Sequence, residues 1–222
     1  DPRRFLGRYP QGAILDEAQR APDLFSYLQV LVDEDRTRQF ILSGSQNFLL
    51  MERITQSLAG RVGILNLLPL SWAELAPTPY IPSGLEVFAW RGGFPALYDR
   101  GTPQALFFGN YLQTYLERDV RLLKNVGDLN LFTRFLRLCA GRVGQPLNMS
   151  GIAADLGLSV NTIKSWFSVL EASYVIFYVP PFHNNFNKRI IKSPKYYFFD
   201  TGLLCFLWGI ARPEQVETHH YM

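Results

Sequence analysis

Two neighbouring carboxylates, Asp16 and Glu17, directly follow the short apolar run Gly12–Leu15. This run predicts a buried β-strand, so the pair lies at the carboxyl end of that strand. In nucleotide hydrolases an Asp at this place reaches a magnesium ion, and an adjacent Glu polarises the attacking water. The pair therefore indicates phosphate chemistry. The plain alternative is an acidic turn after a strand, since many strands end in this way.

The elements around this pair alternate between strand and helix. A helix begins near Pro22, and a second strand over 40–42 ends in the polar residues 43–47. A helix over 48–58 and a third strand over 62–68 follow. This order predicts a parallel sheet with helices packed on it, and such sheets bind ligands at the carboxyl edge of their strands.

The second half of the chain is predicted to be mostly helical. A long helix is expected over 104–124. Helices are then expected over 129–139, 151–156 and 160–172, the last two capped by Ser150 and Ser159, followed by a strand over 174–179 and a return strand over 189–191. Three helices followed by a hairpin are typical of a winged helix-turn-helix domain.

Six polar or basic residues of that domain are candidates for contacting nucleic acid. Four are expected on the outward face of the third helix and two in the wing, where side chains can reach base edges and phosphates. The alternative is a packing or protein-docking role, because only one cation lies on that helix. The six candidates are Asn161, Thr162, Lys164, Ser165, Lys188 and Arg189.

The composition excludes some classes of protein. With 48 % hydrophobic residues among 222, the chain can form a sizeable core and is not wholly disordered. A net charge of +3 permits nucleic-acid contact without requiring it. Cys139 and Cys205 lie in apolar surroundings and are expected to be buried thiols. The sequence has no apolar stretch long enough to span a bilayer and no signal peptide, so we expect a cytoplasmic protein without a membrane partner.

Three segments in order resemble parts of a AAA-type P-loop ATPase family of bacteria and archaea. GAILDEAQRAPDLFSYLQVLVDED, FILSGSQNFLL and SLAGRVGILNLLPLSWAEL are similar to its Walker B, sensor-1 and following segments. The stretch from FFGNYLQTYLERDV to YYFFDTGLL is similar to the domain of unknown function that follows in that family. The resemblance implies an α/β partial P-loop ATPase core with a parallel sheet. With the helix pattern described above, the expected fold continues with a helical region and the winged helix-turn-helix domain.

The resemblance also implies roles for five residues. Asp16 would bind the Mg²⁺ of the nucleotide through water, and Glu17 would be the catalytic carboxylate. Ser43 or Ser45 would be the sensor-1 residue near the γ-phosphate, although a turn or helix cap is the alternative for both. Arg61 would face phosphate or act as an arginine finger, unless it pairs with an acidic neighbour on the surface.

The phosphate-binding motif G-x-x-x-x-G-K-[ST] does not occur in the sequence, and the family carries it before the first of these segments. We therefore expect a fragment that starts after Walker A, is itself inactive and holds neither ATP nor Mg²⁺, although both are cofactors of the intact protein. The predicted divisions are an ATPase part over 1–80, a helical linker or lid over 81–125, the winged helix over 126–192 and a truncated module over 193–222.

The function implied for the intact protein is to bind and hydrolyse ATP and to couple it to the winged helix. The alternative is a non-catalytic winged-helix protein that binds DNA or docks a protein and keeps a degenerate ATPase fold. Nucleotide is the expected partner, and double-stranded DNA, a second copy of the chain or another protein are left open.

Overall fold

The chain folds into two units, Asp1–Asn66 and Leu67–Met222. The structure is a computed structural model, and it describes residues 1–44, 54, 57–116, 128–182 and 193–218. The sequence analysis divides residues 81–222 into a linker or lid, a winged helix and a truncated module. All three segments lie within the second unit, so the divisions between them stay predictions.

The first unit is built around two short parallel strands, as predicted. Strand β1 (Gly12–Leu15) and strand β2 (Gln39–Leu42) pair in register, with Leu15 opposite Leu42. The helix between them begins at the acidic residue Asp23, which favours a helix N-terminus. The elements are α1 (Pro2–Leu6), β1 (Gly12–Leu15), a 3₁₀ turn (Ala18–Arg20), α2 (Asp23–Glu34) and β2 (Gln39–Leu42).

One face of this sheet is buried and the other is open. Phe25 and Leu28 of α2 pack with Leu15 of β1 in the core of the first unit. On the opposite face, the paired residues Ile14 and Ile41 are 71 % and 60 % exposed. The alternation of side chains along a strand accounts for this contrast, since neighbouring residues point to opposite faces.

The prediction of a third strand over 62–68 is wrong. No residue of this segment is in a strand, and Leu65 and Leu67 are 97 % and 99 % exposed. A strand requires a neighbouring strand, and the described part of the first unit contains only β1 paired with β2. Of the helix predicted over 48–58, only Ile54, Ser57 and Leu58 are described.

The second unit is predominantly helical. The helix predicted to start at Gln104 does so, and it continues from Leu112 as a π-helical turn, with residues 117–127 outside the described part. The helices are α3 (Trp72–Leu75), α4 (Leu85–Arg91), α5 (Ala96–Asp99), α6 (Gln104–Tyr111), α7 (Leu129–Ala140), α8 (Met149–Leu156), α9 (Val160–Ala172) and α10 (Thr201–Trp208).

Helices α7 to α9 are each capped by a side chain that accepts backbone N–H groups. Asp128 caps α7, Asn148 caps α8 and Ser159 caps α9. Asn148 therefore starts the middle helix two residues earlier than the predicted cap, Ser150.

An antiparallel pair of strands follows these helices. Strand β3 (Ile176–Val179) pairs with β4 (Lys195–Phe198), and Ile176 lies opposite Phe198. The predicted return strand over 189–191 lies outside the described residues.

Aromatic side chains form the centre of the second unit. The Phe135 ring contacts the rings of Trp166 and Phe167 edge to face, and the ring of Tyr196 on β4 contacts Phe167 in the same way. The Tyr196 hydroxyl donates to the Cys139 carbonyl at 2.9 Å, so this buried polar group has a partner. Cys139 is buried, as is Cys205 in α10, which confirms the expectation for both thiols.

A buried carboxylate, Asp200, joins two distant parts of this unit. It is only 4 % exposed, caps α10 through the Leu203 N–H at 2.7 Å and accepts the Gly93 N–H at 2.7 Å. Burial raises its pKa to about 6, although hydrogen bonds from the backbone of Gly93, Leu203 and Gly202 oppose this shift. The carboxylate thus fixes the glycine loop after α4 against the start of α10.

The close approach between that loop and α10 depends on glycine. Gly92 has a φ of +83°, and a Cβ there would lie 2.4 Å from Asp200 Oδ1. A Cβ on Gly202 would lie 2.4 Å from the carbonyl oxygen of Arg91. Any side chain at either position would separate the loop from the helix.

The substitution Asp200→Asn should remove one pH-dependent contribution to stability. The unfolded carboxyl ionises near its ordinary pKa of 3.8 and the folded one near 6, so the folded state holds the proton more tightly between these values. The contribution of this group to the free energy of unfolding should therefore fall by about 2 kcal/mol as pH rises from 4 to 7. The amide cannot ionise and should lack this fall.

Urea unfolding of both proteins between pH 4 and 7 measures the effect. The difference in stability, wild type minus Asp200→Asn, should decrease across this range. Two curves that stay parallel would show that Asp200 does not titrate there.

Candidate functional site

The parallel pairing of β1 and β2 brings Asp16 and Ser43 together at the carboxyl edge of the sheet. The Ser43 N–H donates to the Leu15 carbonyl at 3.0 Å, and the Ala18 N–H donates to the Ser43 carbonyl at 3.0 Å. The Ser43 hydroxyl donates to Oδ1 of Asp16, whose side chain is exposed. These two predicted site residues are therefore in direct contact.

Glu17 adopts an uncommon backbone conformation beside this pair. Its φ of 52° and ψ of 38° lie in the left-handed region, which costs a residue with a side chain about 1–2 kcal/mol. Its N–H donates to Asp16 Oδ1 at 3.0 Å. The turn thereby directs two adjacent carboxylates from one strand end into separate sets of contacts.

The Glu17 carboxylate is held by two side chains of the following turn. Its Oε2 accepts from Gln19 Nε2 at 3.0 Å and lies 3.2 Å from Nε of Arg20. The sequence analysis did not single out Gln19. The signal available for it was its position two residues after Glu17, inside the Walker B-like segment.

The residues at this edge offer hard oxygen ligands. Mg²⁺ prefers such oxygens and usually keeps several waters while it binds one or two carboxylates and the phosphates of a nucleotide. The exposed Asp16 carboxylate, oriented by the Ser43 hydroxyl and by a backbone N–H, fits this requirement. Within the described residues no group of three or more His, Cys, Asp or Glu side chains forms a metal site by itself.

Arg61 makes its contacts elsewhere in the first unit. Its Nε and Nη2 donate to the two carboxylate oxygens of Asp33 at 2.7 and 2.9 Å, and Nη1 donates to the Ala59 carbonyl at 3.2 Å. The hydrogen bonds from the guanidinium lower the pKa of the Asp33 carboxyl. The structure thus shows the alternative that the sequence left open for Arg61, a pairing with an acidic neighbour, here Asp33. No described contact joins Arg61 to the predicted site residues Asp16, Glu17 and Ser43, and its role toward phosphate stays a prediction.

The predicted recognition helix, α9, presents only some of its candidate residues to solvent. Asn161 and Lys164 are exposed. The Thr162 hydroxyl lies 2.8 Å from the hydroxyl of the cap Ser159. The Ser165 hydroxyl is buried and has no hydrogen-bond partner among the described residues, so the expectation that it points outward is wrong.

Three further candidates cannot be placed. Ser45, Lys188 and Arg189 lie outside the described residues. Their roles stay predictions.

Comparison with known families divides the chain in two. Residues 83–214 match a domain of unknown function, DUF8612, and residues 2–76 match a AAA domain. The chain belongs to the DUF8612 family, since that match covers more than half of it. The AAA match covers Asp16, Glu17, Ser43 and Arg61 and includes the small parallel sheet of the first unit.

Two curated relatives, both described as uncharacterized, come from Mycobacterium bovis and Mycobacterium tuberculosis. Each is 32 % identical over 199 residues, which is 88 % of this chain and 44 % of the relative. The chain therefore spans less than half the length of these relatives. No solved structure matches the chain at a significant level. In the part of the chain that the structure describes, no helix is long and apolar enough to cross a bilayer.

Proposed function

We propose that this chain supplies the magnesium-associated and water-activating carboxylates of an ATP-hydrolysing AAA protein. The observation that carries the proposal is the contact between Asp16 and Ser43 at the carboxyl end of two parallel strands, with Glu17 adjacent. Open α/β sheets bind their ligands at this edge. The match of residues 2–76 to a AAA domain supports the same assignment.

In this proposal each residue of the edge has a separate task. Asp16 accepts hydrogen bonds from the water around the metal ion, and Ser43 fixes the orientation of Asp16. Glu17 orients the attacking water and accepts its proton while the bond between the γ-phosphorus and the leaving oxygen of ADP breaks. Bound Mg²⁺ and ATP supply charge neutralisation and the transferred phosphoryl group.

Replacing Glu17 by Gln in the full-length protein should abolish turnover of Mg-ATP and leave ATP binding intact. The amide keeps the size of the side chain and cannot accept the proton, so we expect a loss of at least 100-fold in kcat. Phosphate release measures kcat, and titration with ATP measures affinity.

Glu34→Gln is the matched control, because Glu34 is an exposed carboxylate at the end of α2. It should hydrolyse ATP like the wild type. Equal turnover in Glu17→Gln and wild type would contradict the proposal and favour the alternative of a degenerate ATPase fold.

We further propose that α7 to α9 with β3 and β4 form a winged helix that contacts double-stranded DNA. The supporting observation is the order of three capped helices followed by an antiparallel pair, in which α9 presents the exposed side chains Asn161 and Lys164. An Asn on a recognition helix can read adenine, and a Lys can contact phosphate. Docking of a protein on the same face is the alternative.

The substitution Lys164→Ala should weaken DNA binding and lower its dependence on salt. Each phosphate contact contributes about 0.9 to the slope of log affinity against log salt, so we expect a decrease of about one. Fluorescence anisotropy with a labelled duplex at several salt concentrations measures the slope. Arg100→Ala removes an exposed cation after α5 and should leave the slope unchanged. The same slope in Lys164→Ala and wild type would favour protein docking.

A further inference from the structure

We infer that Gln19 is a positioning residue for Glu17, which it holds ready to activate water. This inference rests on the proposed function and adds to it a residue that acts on the catalytic carboxylate. The observations concern the 3₁₀ turn Ala18–Arg20, which directly follows Glu17.

The described contacts of the Glu17 side chain all fall on one carboxylate oxygen. Oε2 accepts from Gln19 Nε2 at 3.0 Å and lies 3.2 Å from Arg20 Nε. The remaining oxygen, Oε1, is therefore the one that we assign to the water. A carboxylate fixed through one oxygen keeps a defined direction for the other, which is the requirement for a general base.

The two donors differ in how firmly they can hold Glu17. The Arg20 side chain is 74 % exposed, and an exposed ion pair contributes little because water and salt screen it. Gln19 is half-buried, and its hydrogen bond to Glu17 is partly shielded from water. The amide is thus the stronger constraint on the carboxylate.

The Gln19 amide is itself fixed in place. Ala18 is 3 % exposed, and its N–H donates to the Ser43 carbonyl, which ties the turn to the end of β2. On the far side of the amide lies Gly44, where a Cβ would come within 2.2 Å of Gln19 Oε1. The amide therefore fills a space that exists because residue 44 has no side chain.

The burial of the Gln19 Oε1 atom indicates that the amide is present for its donor, Nε2, and not for stability. This oxygen is buried and has no hydrogen-bond partner among the described residues, which is unfavourable for folding. A leucine or methionine would fill the same space without burying an unpartnered acceptor. The amide thus costs stability at this place, and what it adds is the donor that Nε2 offers to Glu17.

The test compares kcat and KM for Mg-ATP in the full-length protein, in two variants and in one control variant. Gln19→Leu keeps the volume and removes the donor, and it should lower kcat by at least 10-fold with little change in KM. Gly44→Ala displaces the amide from the side of β2 and should have the same effect. Gln39→Leu makes the same change at an exposed place on β2 and should keep the wild-type kcat.

A second comparison separates positioning from a structural role. If Gln19 acts through Glu17, adding Gln19→Leu to Glu17→Gln should leave the residual turnover unchanged. An equal loss in both backgrounds would overturn the inference, because the loss would then not pass through Glu17. A wild-type kcat in Gln19→Leu would also overturn it, provided that Glu17→Gln is inactive. Full turnover in Glu17→Gln would instead overturn the proposed function, and this inference with it.

Circular dichroism and urea unfolding check that the variants fold. Because a folded Gln19→Leu protein no longer buries an unpartnered oxygen, we expect it to be at least as stable as the wild type. If Gln19→Leu does not fold, Gln19→Met is the substitute variant, and a wild-type kcat in it would overturn the inference.

Discussion

The in-register pairing of β1 and β2 is the constraint on which the candidate site depends. Parallel strands end at the same edge, so the pairing of Leu15 with Leu42 places the next residues of both strands, Asp16 and Ser43, in contact. A shift of one residue would turn the side chains to the opposite face and separate them. Four residues per strand thereby determine the geometry of a site whose carboxylates lie beyond the strands themselves.

A comparable constraint organises the DUF8612 part of the chain. Asp200 caps α10 and also holds the Gly92–Gly93 loop, which lies more than 100 residues earlier in the sequence. Burial disfavours the charged form of the Asp200 carboxyl. The close approach is possible because Gly92 and Gly202 have no side chain. Each unit thus relies on one carboxylate close to the end of a strand, exposed in the first unit and buried in the second.

The strands and helices that have a strong local pattern of hydrophobic periodicity or capping residues could be predicted from the sequence. The run Gly12–Leu15, the helix after Pro22 and the helix capped by Ser159 depend on local periodicity and capping, and they formed as expected. The segment 62–68 has the composition of a strand, but pairing depends on a neighbour that composition does not reveal. The contact of Asp200 with Gly93 and the packing of Gly44 on Gln19 depend on tertiary structure, which no local pattern encodes.

The affinity of the full-length protein for ATP, measured with and without Mg²⁺ in Asp16→Asn and Glu17→Gln, tests the central claim most directly. If Asp16 serves the metal and Glu17 the water, Asp16→Asn should lose the gain in affinity that Mg²⁺ gives, whereas Glu17→Gln should keep it. The same gain from Mg²⁺ in both variants and in the wild type would contradict the assignment of Asp16 to the metal and the division of roles between the two carboxylates.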